Sequence, residues 1–237
     1  MSKLSYCLNI IFISFFIWYF GIHKGVGRYY EKYLPGKDAF LKSPDYQARV
    51  NAYHELNSRY IGNKKKYIVF AGDSMIEQFP VTEIFPNCDV LNRGIGFDTT
   101  VGLLKRVGIN LNNLPISDCF IMIGHNDFQY RNVDQIIQKY QEILSQIRAD
   151  RVFVMGVPPG SDQQLNDRKY QLNEKIHQLS KSEPFEYIDL YPLFMDSQGV
   201  VKTAYFYDGV HLTMDGYRLI KREIELKTGN GLIGCDK

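Results

Sequence analysis

Five short hydrophobic runs, at residues 67–71, 88–91, 119–123, 152–156 and 185–190, constrain this chain more than any other feature. They are continuous rather than alternating, as strands buried on both faces must be, which predicts a parallel sheet covered by helices. Longer amphipathic stretches fall between and after them, near 74–79, 99–110, 133–148, 165–181 and 213–227, with Asn132 and Thr213 placed as N-caps. The expected architecture is a three-layer α/β domain spanning residues 63–229 and followed by a tail at 230–237.

In such a sheet, ligands bind outside the carboxyl ends of the strands. Polar clusters sit at those ends. Gly72-Asp73-Ser74 follows the first run, Asn92-Arg93-Gly94 the second and Gly124-His125-Asn126-Asp127 the third, while Asp208-Gly209-Val210-His211 comes by way of a loop after the fifth. Singly, each has a plain structural reading: Ser74 as a helix cap, Gly94 as a turn glycine, Asn126-Asp127 as a turn. Their common placement on one rim is harder to obtain by accident.

Ser74 leaves a strand and begins a helix, so its own backbone N–H is free to donate. A serine hydroxyl is a weak nucleophile until a base takes its proton. Of five histidines, His54 and His177 belong to helix patterns and His23 adjoins the N-terminal apolar run. His125 and His211 lie on the rim. His211 is the preferred base, because Asp208 stands three positions ahead, where a turn lets it orient the imidazole. Acyl transfer also needs donors for the oxyanion, and three candidates are the N–H groups of Ser74 and Gly94 and the side-chain amide of Asn126.

These four blocks, in this order across residues 67–215, resemble the SGNH/GDSL hydrolase family of serine esterases and lipases: VFAGDSM, NRGIGFDTT, IMIGHND and DGVHLT. The resemblance implies a flavodoxin-like α/β/α sandwich with a parallel five-stranded sheet in the order 2-1-3-4-5. It implies Ser74–His211–Asp208 as a triad, Ser74, Gly94 and Asn126 as oxyanion donors, and no cofactor or metal. Ile76 stands where the G-x-S-x-G elbow of the α/β-hydrolase fold would need glycine. In that strand order Cys88 and Cys119 begin strands too far apart to bridge, so both are read as buried thiols.

Two rival chemistries are weaker. Gly94-Ile95-Gly96 ends its would-be dinucleotide motif on Thr99 rather than glycine. Asp73, His125, Asp127, Asp208 and His211 form a possible metal set for a phosphoesterase, but no D-x-H pair follows the first strand. An acyltransferase using the same triad is the closer alternative to an esterase that takes lipid, glycan or small-molecule esters.

Composition narrows the partners. The 237 residues carry a net charge of +2, which gives no case for nucleic acid. Residues 4–22 are uncharged, long enough at about 1.5 Å per residue to approach the roughly 30 Å of a bilayer core. No small-x-small cleavage site follows, so residues 1–24 are expected to be an uncleaved membrane anchor. Residues 25–62 read as a connector with one amphipathic helix, opened by Ser43-Pro44 and striped by Tyr46, Val50, Tyr53, Leu56 and Tyr60. Counting basic residues alone puts the domain on the cytoplasmic side. Analogy with exported enzymes of this build favours an extracytoplasmic one.

Overall fold

The computed structural model describes residues 37–62, 65–229, 232 and 235. The anchor expected at residues 1–24 lies outside them, and among the described residues no helix is long and apolar enough to cross a membrane. The chain divides into two compact units, Met1–Pro44 and Asp45–Lys237. The described part of the first holds one 3-10 turn, Ala39–Lys42.

The second unit is built on five strands: β1 Tyr67–Gly72, β2 Val90–Gly94, β3 Ile116–Met122, β4 Arg151–Met155 and β5 Glu186–Ile188. All pair in parallel, in the order β2-β1-β3-β4-β5. The helices are α1 Pro44–Asn57, α2 Ser74–Glu77, α3 Val81–Ile84, α4 Thr100–Arg106, α5 Val133–Gln146, α6 Gln163–Leu179 and α7 Met214–Thr228. Helices α4, α5 and α6 pack side by side, while α7 packs against α3 and β5.

The central strands bury every residue, as continuous apolar runs require. Phe70, Phe120 and Phe153 stand on neighbouring strands and stack at 4.9 and 4.7 Å between ring centroids, one aromatic ladder through the core. Asn132 caps α5 with a reciprocal capping box to Gln135, and the Thr213 hydroxyl accepts from Gly216 N–H at the start of α7.

Three expectations need correction. The helix at Pro44 forms, but from Asp45 it belongs to the same compact unit as the sheet rather than to a separate connector ending at 62. The stretch 99–110 is not one helix, for α4 gives way to a π-helical turn at Val107–Leu111. Cys88 is no thiol. It precedes edge strand β2, where it is open to the C-terminal tail, and it forms a disulfide with Cys235 beside an antiparallel bridge between the two residues. Distance rules excluded only the pairing with Cys119, which is a buried thiol pushed up to about 12 by burial.

Candidate active site

Strands β1 and β3 leave the sheet in register at Gly72 and Met122, two residues before Ser74 and four before Asn126. Adjacent strands thus deliver both side chains to one rim. Asp73 turns the chain: its carboxylate accepts the Met75 N–H at 3.0 Å and its carbonyl accepts those of Ile76 and Glu77. Ser74 opens α2 with its own N–H unpartnered among the described residues. Tyr217 of α7 donates its hydroxyl to the Met75 carbonyl at 2.8 Å and pins the turn from below.

The second cluster folds as a tight loop. Tyr207 N–H donates to the His211 carbonyl, and Phe206 and Leu212 close the loop as an antiparallel bridge. Inside it, Asp208 Oδ1 accepts the N–H groups of Val210 and His211 at 3.0 and 2.7 Å. Oδ2 is left for His211 Nδ1, at 2.6 Å, and His211 Nε2 lies 2.9 Å from Ser74 Oγ. With the ring proton on the Asp208 side, Nε2 faces the serine as a bare acceptor. Burial pushes the Asp208 carboxyl up. The two backbone N–H groups and His211 outweigh it and hold the carboxyl below its usual range. The Tyr207 ring stacks on the imidazole at 5.7 Å, and its hydroxyl donates to Gln78 Oε1, just past α2.

His125 is placed otherwise. Its Nδ1 is buried without a hydrogen-bond partner among the described residues, and burial, with Lys169 and His211 nearby, pushes its pKa down to about 3. The Ser74 hydroxyl is bonded to His211 instead.

Gly94 occupies the rim, but its N–H donates to Asn92 Oδ1 at 2.8 Å, so its one donor is spent within the loop. The glycine answers to packing: a Cβ there would lie 2.1 Å from the Glu77 backbone nitrogen, so only glycine lets β2 end against α2. The chain then makes a turn, Ile95–Asp98, closed by Asp98 N–H to the Ile95 carbonyl. Phe97 sits in it at φ 60°, in the left-handed region that bulky residues avoid, with its side chain 45% exposed.

Asn126 donates one Nδ2 hydrogen to the Asp98 carbonyl at 2.9 Å. An amide nitrogen carries two hydrogens, so one remains to serve a ligand. The next residue, Asp127, holds Thr100 by both its N–H and hydroxyl and takes Arg131 at 3.2 Å. Among the described residues no group of three or more His, Cys, Asp or Glu side chains is arranged to hold a metal ion.

Sequence reasoning missed what lies beneath the rim. Arg106 is fully buried against Asp98 at 2.8 Å, and its other two nitrogens donate to the carbonyls of Arg93 and Gly72, the ends of β2 and β1. A charged residue inside the apolar stripe of 99–110 was the available signal. Tyr46 and Tyr53 of α1 were read as core stripe, yet their hydroxyls reach Asp98 Oδ1 and the Gly94 carbonyl.

Residues 71–219 match the GDSL-like lipase/acylhydrolase family model. The chain belongs to that family. It is 28% identical over 172 residues to the platelet-activating factor acetylhydrolase IB subunit alpha2 of Rattus norvegicus, covering 67% of this chain and 74% of that protein. A GDSL-like lipase structure from Bacteroides thetaiotaomicron superposes with a TM-score of 0.69 at 21% identity, over 78% of this chain and 99% of the other. An acetylxylan esterase from Geobacillus stearothermophilus does so at 0.58 and 16% identity, over 72% and 96%. This acylhydrolase is therefore an ester-hydrolysing enzyme on the fold of its family.

Proposed function

We propose that Ser74, His211 and Asp208 act as a nucleophile–base–orienter triad hydrolysing short acyl esters, acetyl esters foremost. The observation that carries this is the chain of contacts from Ser74 Oγ through His211 to Asp208, at 2.9 and 2.6 Å. His211 takes the serine proton as Oγ attacks the ester carbonyl, then returns it to the leaving alkoxide. Water repeats the cycle on the acyl-enzyme. The Ser74 N–H and the second Asn126 amide hydrogen receive the oxyanion, while the Gly94 N–H is engaged with Asn92 Oδ1. Preference for a short acyl group is supported by the acetylhydrolase and acetylxylan esterase named above.

The same reading tethers the enzyme to a membrane through residues 4–22, with the catalytic domain in an oxidising compartment. The Cys88–Cys235 disulfide supports that side, because cytosolic thiols are kept reduced. Maleimide labelling of the denatured, unreduced protein from its native membrane tests it: Cys88 and Cys235 stay unlabelled if the domain is exported and become labelled if it is cytosolic.

Ser74→Ala tests the chemistry. Turnover of p-nitrophenyl acetate by the purified protein falls by about 10⁴ or more while circular dichroism is unchanged. Undiminished turnover refutes the assignment.

A further inference from the structure

We propose that Tyr46, on a helix that precedes the matched family segment, is a positioning residue that aims the Asn126 amide at the oxyanion. The proposal rests on the reading of Asn126 as an oxyanion donor.

The path is short and buried. Tyr46 Oη–H donates to Asp98 Oδ1 at 3.0 Å, Thr99 N–H donates to the same oxygen at 2.9 Å, and Arg106 Nε donates to Oδ2 at 2.8 Å. The carboxylate is thus gripped from three directions, and the carbonyl of the same residue receives one hydrogen of the Asn126 amide. A planar amide with one N–H fixed has its other N–H fixed too. Any rotation of Asp98 swings the remaining donor away from the place where charge develops. Asp98 has no slack of its own, because it closes the turn containing Phe97 at positive φ, a conformation that persists only while its surroundings hold it.

From helix α1 it is Tyr46 that reaches Asp98, while the other contacts of the helix anchor neighbouring residues. Besides Tyr46, its Asn57 side-chain Oδ1 accepts Arg93 Nε and Nη2 at 3.0 and 2.7 Å, its Tyr53 hydroxyl donates to the Gly94 carbonyl at 2.7 Å, and Arg49 pairs with Glu77 at 3.3 Å. Four consecutive turns of α1 therefore grip the end of β2, the loop after it and the helix that carries Ser74. Of these contacts, only the one made by Tyr46 ends on the residue that holds Asn126.

The test is a double-mutant cycle on p-nitrophenyl acetate hydrolysis. Tyr46→Phe keeps the ring and removes the hydroxyl. It lowers kcat about tenfold with KM within about twofold, since the lost interaction matters only in the transition state. In an Asn126→Ala background the same substitution costs nothing further. Tyr53→Phe, which removes an equally buried hydroxyl from the same helix, leaves kcat within about twofold and serves as the stability control. The Asn126 side-chain amide resonances, assigned in the full chain, shift in Tyr46→Phe and hold in Tyr53→Phe. An additive loss in the Asn126→Ala background, an equal loss in Tyr53→Phe, or unmoved Asn126 resonances overturns the proposal. If Asn126→Ala alone leaves kcat unchanged, the oxyanion reading itself falls, a result distinct from the others.

Discussion

The two sides of the site are held in opposite ways. His211 and Asp208 stand 23% and 43% exposed, bonded mostly within one loop of residues 206–212. Asp98 and Arg106, across the cleft, are at most 2% exposed and draw partners from β1, β2 and α1. The difference suits the roles proposed for the two sides. A base must take a proton, become charged and give the proton back, and water nearby lowers the cost of that charge. Donors for an oxyanion work only if they are already in place, so a rigid, dry scaffold suits them.

Breaking the solvated side should cost the most activity and the least stability. His211→Ala lowers kcat by about 10⁶, and Asp208→Asn by about 10⁴, since the aspartate orients rather than reacts. Thermal melts should move little, because neither side chain is buried. A larger loss in His125→Ala than in His211→Ala reverses the choice of base.

On the rigid side the balance inverts. Asn126→Ala removes one donor and lowers kcat by about 10²–10³. Arg106→Met leaves the Asp98 carboxylate buried without its cation and costs about 3–5 kcal/mol of stability, read by urea denaturation. If Arg106→Met melts like the wild type, the contrast between the sides fails.

The last effect touches stability alone, through its pH dependence. His125 holds off protonation until about pH 3, against 6.5 for an unperturbed imidazole. Between those values the unfolded chain binds a proton that the folded one refuses. Stability present above pH 6.5 is therefore lost as pH falls. His125→Asn removes that term, so its melting temperature drops less than that of the wild type between pH 6.5 and pH 4. An unchanged acid slope contradicts the buried neutral imidazole.

Where signals were local, the sequence was readable. Continuous apolar runs located all five strands to within a few residues, because burial on both faces leaves no polar position in β1. In β3 the buried Ser117 and Asp118 hid the first three residues, so the run was read from Cys119. The meeting of Ser74, Asp208 and His211 was legible because each sits at a strand end or in a four-residue turn. For Gly94 the sequence signalled a close backbone approach without naming the partner, which in the structure is the backbone of α2. Tyr46, Asp98 and Arg106 escaped since their partners lie 52 and 8 residues apart and no period encodes such pairings. The Cys88–Cys235 bridge, spanning 147 residues, was invisible for the same reason.

The central claim is that Ser74 is the nucleophile, activated by His211. Incubation with a fluorophosphonate followed by peptide mass analysis tests it directly. The account predicts one phosphonyl group per chain, on Ser74, with esterase activity lost in step and labelling abolished in His211→Ala. Full activity after exhaustive treatment, or modification at a residue other than Ser74, would contradict it.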